Sequence, residues 1–189
     1  MPPSDRFAQI REAAATHGPP VESWNPPFGG DIDIRVARDG RWFHEGAPIG
    51  RPALVKLFAS VLRRDPDGRF YLVTPVEKVG IRVEDAPFLA VEVRRRGAGP
   101  AQTLHFRTNL DDWTTAGPDR PLRFERDAGA GLKPYVRVRG RLDALFTRAL
   151  VHDLVALAEE AELDGERRFG VWSGGVFFAM DGAEIEGAA

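Results

Sequence analysis

Apolar and polar residues alternate along much of the chain, which predicts a protein built mainly from short β-strands. An apolar side chain at every second position is the spacing of a strand that buries one face. Shorter alternating pairs occur at 81/83, 104/106 and 122/124. Asp39-Gly40 predicts a hairpin turn between the first two strands. The longer predicted strands are Ile32–Val36, Arg41–Glu45, Phe70–Val73, Leu89–Val93, Tyr135–Arg139, Arg168–Trp172 and Val176–Met180.

Three segments instead repeat their apolar residues with the period of an amphipathic helix. The first covers Ser4 to Thr16, and the second begins at Pro52, a residue that suits the first turn of a helix. The longest helix is predicted over Leu142–Ala161, where Asp143 suits the positive end of the helix dipole. Strands combined with these helices predict an α+β fold with two halves, each an antiparallel sheet backed by a helix.

A faint internal repeat supports two related halves. A strand, Gly50-Arg51, a helix, Asp67-Gly68 and an aromatic strand follow one another in the first half. The same order recurs around Gly140-Arg141 and Asp164-Gly165 in the second half. Such a repeat predicts two strand-helix-strand units that pack together. Because the identities are few, coincidence is the alternative.

Composition excludes several function classes. The chain has 189 residues, of which 43% are hydrophobic and 29% charged, so it can bury a core. A formal net charge of -2 disfavours binding to a nucleic-acid polymer over a broad surface. With no cysteine, disulfides, zinc-thiolate sites and thiol catalysis are excluded. No apolar run is long enough for a membrane span, so we expect cytoplasmic residence and no membrane partner.

Familiar catalytic patterns are missing from the sequence. Its serines lie outside any strand-turn-helix nucleophile elbow, and its histidines lack the spacing of a metal-binding pair. We therefore predict neither a metal nor another cofactor. Carboxylates are the best enzyme candidates, and the ones we single out for acid/base chemistry are Glu77, Asp85 and Asp111.

The predicted strand Tyr135–Arg139 carries the sharpest functional signal. If Val136 and Val138 face the core, the residues between them share the opposite face, roughly 7 Å apart. Two guanidinium groups at that spacing can grip adjoining phosphates or a carboxylate, while a tyrosine ring can stack on a base. A solvated face or cross-strand ion pairing is the alternative. The row consists of Lys133, Tyr135, Arg137 and Arg139.

Three longer segments resemble a known family. They are 39–58, Thr74–Lys78 with 81–88, and Thr108–Trp113 with Leu132–Arg139. Together they resemble the bacterial family known as domain of unknown function 1285, over about residues 21–178. The resemblance implies two α+β domains, which we place at residues 1–84 and 85–189, with a cleft between them that binds a nucleotide-like ligand in signalling. Within these segments Glu77, Lys78 and Asn109 join the candidate ligand-binding residues; Glu77-Lys78 as a local ion pair is the alternative.

These observations favour a non-catalytic module that binds a small anionic ligand between its halves, a nucleotide-like molecule being one candidate. One alternative is a hydrolase or transferase that uses carboxylates of the cleft. The other is a module for protein interaction or oligomerisation, and the sequence leaves the oligomeric state open.

Overall fold

The structure is a computed structural model that describes residues 3–14, 18–126 and 131–180. The chain forms two compact units. The first, called the N-terminal domain, contains the chain up to Pro87 together with Gly140–Leu142. The second, the C-terminal domain, contains Phe88–Arg139 and the chain from Asp143 onward. Each domain contains its own large sheet and buries a core of its own.

Within residues 3–14 and 18–87, the N-terminal domain contains two α-helices and six strands. The helices are α1 (Pro3–Ala14) and α2 (Pro52–Ser60), and a short 3-10 helix covers Val21–Ser23. The strands are β1 (Phe28–Val36), β2 (Trp42–His44), β3 (Ala47–Pro48), β4 (Leu62–Arg64), β5 (Phe70–Val73) and β6 (Lys78–Val83).

The sheet of the N-terminal domain has the strand order β3-β2-β1-β6-β5-β4. Two antiparallel meanders, β1–β3 and β4–β6, meet where β1 and β6 pair in parallel. Ile34 and Val36 of β1 are 1% and 0% exposed, which confirms the strand that their alternation predicts. Phe58 of α2 stacks on Trp42 with 6.2 Å between ring centroids, so the helix covers the core side of β2.

Both helices of this domain differ slightly from the predicted bounds. Helix α1 ends at Ala14, and residues 15 and 16 of the predicted segment lie outside the described residues. Helix α2 begins at Pro52 as predicted and ends at Ser60, after which Leu62 pairs with Leu72 as part of β4 and β5.

Within residues 88–126 and 131–180, the C-terminal domain contains nine strands and one α-helix. The helix is α3 (Arg148–Ala156), and a 3-10 helix covers Gly99–Ala101. The strands are β7 (Phe88–Arg96), β8 (Thr103–Thr108), β9 (Trp113–Thr115), β10 (Leu122–Arg126), β11 (Leu132–Arg139), β12 (Leu142–Phe146), β13 (Glu159–Leu163), β14 (Glu166–Ser173) and β15 (Val176–Ala179).

The two large sheets share one topology. The C-terminal sheet has the order β10-β11-β12-β7-β8-β9, and its central pair is again parallel, with Leu145 of β12 opposite Leu89 of β7. If the C-terminal list is read from its other end, and the strands of each domain are numbered from one, both sheets have the order 3-2-1-6-5-4. The two-domain α+β fold is thus confirmed, and each sheet adds one parallel pair to the antiparallel pairs that we predict.

The predicted strand-helix-strand repeat is also present. Its two copies are β3-α2-β4 and β12-α3-β13. Each copy is followed by an Asp-Gly turn, at Asp67-Gly68 and Asp164-Gly165, and then by an aromatic strand. Gly50-Arg51 leads directly into α2, whereas Gly140-Arg141 leads into β12, so the second copy carries an additional strand at that point.

The helix predicted over Leu142–Ala161 is wrong at both ends, because β12 and β13 flank a shorter α3. Every second residue of β12 from Leu142 to Phe146 is buried, so this segment follows the period of a strand. The next residue, Thr147, caps the helix that begins at Arg148, and its side chain accepts a hydrogen bond from the Leu150 amide at 3.4 Å. At the C-terminal end of the predicted segment, the helix stops at Ala156, and the chain continues as β13, which pairs with β14.

Strands β13, β14 and β15 form a small antiparallel sheet. Ser173 connects it to the large sheet. Its hydroxyl donates to the Ala116 carbonyl at 2.7 Å and accepts from the Leu104 amide at 2.9 Å, and its side chain is fully buried. The serine beside Gly174-Gly175 therefore has a structural role, which agrees with its position outside any nucleophile elbow.

Candidate functional site

The predicted ligand site centres on β11, whose neighbours fix which side chains meet. Strand β10 pairs with it antiparallel, with Arg123 opposite Tyr135 and Glu125 opposite Lys133. Val136 and Val138 are 0% and 5% exposed, so they face the core as the alternation predicts. The opposite face of β11 therefore carries Lys133, Tyr135, Arg137 and Arg139.

Tyr135 differs from the open stacking platform that the sequence suggests. Its residue surface is only 4% exposed, because two cations lie over its ring. The Arg123 guanidinium carbon lies 4.1 Å from the ring centroid and the Lys133 ammonium 5.4 Å from it. The Tyr135 hydroxyl donates to Glu125 at 3.5 Å. Arg123 and Lys133 thus pack over the ring of Tyr135, and the tyrosine itself is buried.

Asp143 organises the arginines beside this tyrosine. Arg137 Nε donates to Asp143 Oδ1 at 2.6 Å, and Arg123 approaches the other carboxylate oxygen at 3.4 Å. Arg123 also pairs with Glu125 across the solvent-exposed side. The sequence places Asp143 at a helix start, which is wrong, since it lies in β12, where its carboxylate meets the guanidinium groups of neighbouring strands.

The surface formed by these side chains on β10, β11 and β12 is called the basic face below. Four cations and two carboxylates among the described residues contribute to it. Arg139 extends the row, with its guanidinium carbon 5.9 Å from the Phe88 ring centroid. The members are Arg123, Lys133, Arg137 and Arg139 as cations, Glu125 and Asp143 as carboxylates, and Tyr135 beneath them.

Glu77 and Lys78, two further predicted site residues, lie in the N-terminal domain at the turn from β5 into β6. Glu77 pairs with Arg6 at 3.3 Å, a partner distant in sequence and different from the Lys78 partner of the local-pair alternative. Lys78 donates to Asp65 at 2.6 Å and lies 4.6 Å from the Tyr71 ring centroid. Both charges are therefore engaged inside their own domain.

Asp65 is the centre of that ion network. Arg63 holds both of its oxygens, at 2.5 and 3.2 Å, and Lys78 takes one of them as well. Burial by itself raises the pKa of Asp65, but hydrogen bonds from Arg63 and Lys78 outweigh that effect and hold its pKa below the usual range. The carboxylate is consequently ionised at neutral pH and unsuited to act as a general acid there.

Asn109 has a structural task at the end of β8. Its side-chain oxygen accepts a hydrogen bond from the backbone N–H of Leu89 at 3.0 Å. Its backbone N–H donates to the Leu89 carbonyl at 2.8 Å. These two bonds fasten the turn after β8 to β7. Asn109 thus lies in the C-terminal domain, in the turn that follows β8.

The carboxylates of the enzyme alternative are distributed over both domains. Glu77 and Asp85 belong to the N-terminal domain and Asp111 to the C-terminal domain. Asp111 is an exposed turn residue with φ 69°, and it pairs with Arg107 at 3.1 Å. Among residues 3–14, 18–126 and 131–180, no three histidines or carboxylates cluster in a way that would hold a metal ion. No helix in that part of the chain is long and apolar enough to cross a membrane.

Sequence reasoning missed three members of the basic face, namely Arg123, Glu125 and Asp143. A signal for the first two was present, because Leu122 and Phe124 alternate with them on the strand that precedes β11 in the sequence. Pairing Leu122 with Val136 would have placed Arg123 opposite Tyr135. Asp143 was hidden because its segment also satisfies the period of a helix.

Comparison with protein families matches residues 19–180 of the chain to one family. Residues 19–86 match the N-terminal domain model of DUF1285, a domain of unknown function, and residues 87–180 match its C-terminal domain model. The chain belongs to the DUF1285 family. The family resemblance predicted from the three sequence segments is therefore confirmed. A comparison with curated proteins gives no match.

Two crystal structures of DUF1285 members are similar to this chain. The protein from Silicibacter pomeroyi is 50% identical, with a TM-score of 0.83, and the match covers 92% of this chain and 93% of that one. The protein from Shewanella baltica is 28% identical, with a TM-score of 0.51, and the match covers 65% of this chain and 90% of that one. Both are described only as family members, so the DUF1285 relatives support the fold and name no activity.

Proposed function

We propose that this DUF1285 protein is a non-catalytic module that binds a small anionic ligand on the basic face of its C-terminal domain. The observation that carries the proposal is the cluster of cations on that face, where Arg123 and Lys133 lie over the Tyr135 ring and Asp143 holds Arg137. Charge-assisted hydrogen bonds from guanidinium groups to phosphate or carboxylate oxygens are among the strong polar contacts of proteins.

The arrangement favours binding because its arginines are already oriented. Asp143 takes the Nε of Arg137 at 2.6 Å, while the Arg137 side chain keeps 31% of its surface exposed. Arg123 rests on the Tyr135 ring and is 45% exposed. A ligand that meets such preorganised groups loses less binding free energy to ordering side chains.

The same geometry favours a nucleotide-like ligand among small anions. A nucleotide base stacks on a guanidinium plane as well as on an aromatic ring. We propose that the base stacks on the exposed side of Arg123, with its phosphates at Arg137 and Lys133. Reversible binding without turnover suits a sensor, so the proposal includes a role in signal transduction.

Titration calorimetry with AMP and with inorganic pyrophosphate tests this proposal. Arg137→Gln removes one charge from the basic face, and we expect it to weaken the binding of each probe about tenfold, the value of one charge-assisted hydrogen bond. Arg167→Gln is the matched control. Arg167 lies on β14 of the same domain, 81% exposed, and its loss changes the net charge equally.

Two results would overturn the proposal. One is the absence of heat for both probes up to millimolar concentration at 50 mM salt. The other is an equal loss of affinity in Arg137→Gln and Arg167→Gln, which would show attraction to the domain's overall charge without a site. AMP binding tighter than that of pyrophosphate would support the stacked base.

A further inference from the structure

A pocket of about 480 Å³ lies within the N-terminal domain, between α1, the β2-β3 hairpin and the first turn of α2. Pockets that hold small molecules in proteins are typically about 300–1,000 Å³ and largely apolar, with a few polar groups that fix the ligand's orientation. This pocket is remote in sequence from the basic face and belongs to the other domain.

Aromatic rings form one wall of the pocket. Phe7 of α1 meets the His44 ring edge-on at 5.2 Å and the Phe58 ring at 5.7 Å between centroids. Phe58 is 1% exposed and stacks in turn on the buried Trp42. These contacts anchor the wall in the core of the domain, and Pro48 and Leu54 extend the apolar lining.

Three basic side chains line the same pocket, namely Arg11 of α1, His44 of β2 and Arg51 at the start of α2. Within the described residues, neither Arg11 nor Arg51 has a carboxylate within 4 Å or a side-chain hydrogen bond, and both are exposed. Arg51 precedes α2 without capping it, and the first turn of α2 contains no acidic residue. The positive charges of Arg11 and Arg51 are thus not balanced by a carboxylate of the described residues within 4 Å.

Several other arginines of the domain are paired with acidic side chains. Five of them hold a carboxylate within 4 Å, in contacts that connect loops and strands: Arg6, Arg35, Arg41, Arg63 and Arg69. Arg11 and Arg51 differ from these five, and both line the same aromatic pocket, where they can meet a ligand that brings its own negative charge.

We infer that this pocket binds a small, flat, apolar molecule that carries one carboxylate. The ring system would lie against Phe7, Pro48 and Leu54, where burial of apolar surface stabilises it. The carboxylate would meet Arg11 and Arg51, whose planar donor groups match two carboxylate oxygens. His44, edge-on to Phe7, adds an imidazole that can donate to the same group.

Calorimetry with 2-naphthoate tests the inference on the full chain. We expect binding, and we expect Arg11→Gln combined with Arg51→Gln to weaken it at least tenfold. Arg38→Gln is the matched control, since Arg38 is an exposed arginine of the same domain outside the pocket, and it should leave the affinity unchanged. The neutral isostere 2-naphthylmethanol should bind at least tenfold more weakly than 2-naphthoate.

Three outcomes would overturn the inference. They are no binding of 2-naphthoate up to millimolar concentration, equal affinity in the double variant and wild type, and equal affinity for the acid and the alcohol. The Arg137→Gln variant separates this site from the proposed function. It should bind 2-naphthoate like wild type, while the Arg11/Arg51 double variant should bind pyrophosphate like wild type.

Discussion

Each domain contains an aspartate that holds two cations beside a tyrosine, yet the two clusters differ in accessibility. In the N-terminal domain, Asp65 binds Arg63 and Lys78, and Lys78 lies over Tyr71. In the C-terminal domain, the corresponding members are Asp143, Arg137, Arg123 and Tyr135, with Arg123 over the ring. The same chemical pieces thus occur twice in two sheets of one topology.

Burial separates the two clusters. The side chain of Arg63 is 9% exposed, and its Nη1 donates to the carbonyls of Val21 and Trp24 at 2.7 and 2.6 Å. It thereby ties the proline-rich segment before β1 to β4. The Arg137 side chain, in contrast, is 31% exposed. A buried guanidinium that donates its hydrogen bonds to groups of the protein stabilises the fold. A guanidinium at the surface can also contact a ligand.

Removal of the two arginines should give the largest contrast. We expect Arg63→Met to lower the free energy of unfolding by about 3 kcal/mol, because it leaves the buried Asp65 short of a partner and frees two backbone carbonyls. Arg137→Met should cost less than about 1 kcal/mol, the usual value of a partly exposed ion pair. Urea denaturation followed by circular dichroism measures both. Equal losses would mean that the two clusters are both structural.

The pH dependence of stability should sharpen the same comparison. The pKa of Asp65 lies below its usual range in the folded protein, so its ionised form contributes stability at every pH above the unfolded pKa of about 3.9. That contribution is lost as the pH falls through the lower, folded pKa. The stability advantage of wild type over Asp65→Asn should therefore stay constant from neutral pH to about 5 and shrink below about 4.

Denaturation of both proteins between pH 7 and pH 2.5 checks this expectation. Other carboxylates with lowered pKa titrate in both proteins and cancel in the difference. They include Glu84, whose pKa is held low by Arg35, and Glu92, whose pKa is held low by Arg107. An advantage that persists undiminished at pH 2.5 would show that the pair with Arg63 is unnecessary for the stability Asp65 provides.

The sequence predicts the strands more reliably than it predicts what surrounds them. Val136 and Val138 alternate with charged residues, and a period of two has one structural meaning, so the buried face of β11 follows directly. Leu142–Phe146 defeats the same reasoning, because its apolar residues fit both a strand and a helix. Pairing with β7, which lies far away in sequence, decides between them.

The surroundings of a predicted site residue are harder to predict, for a related reason. The row of Lys133, Tyr135, Arg137 and Arg139 can be found from one strand, but exposure depends on the neighbours. Arg123 comes from β10 and Asp143 from β12, and together they cover Tyr135 and hold Arg137. The pocket around Phe7 and Arg51 is equally invisible in the sequence, because α1 and α2 meet only through the tertiary fold.

Exchange of each tyrosine for phenylalanine gives the smallest expected effect and the most local comparison. Tyr71 is 3% exposed and donates to Asp67 at 2.6 Å, a bond that raises the pKa of Tyr71 and, together with the Arg69 amide, lowers the pKa of Asp67. Tyr135 reaches Glu125 only at 3.5 Å. We expect Tyr71→Phe to lower the melting temperature by about 2–4 °C, which is the shift that the loss of one net hydrogen bond causes in a chain of this length. Tyr135→Phe should leave the melting temperature nearly unchanged. Since both variants keep the ring under its cations, equal shifts would place the stabilisation in the rings and remove the distinction between a closed and an open cluster.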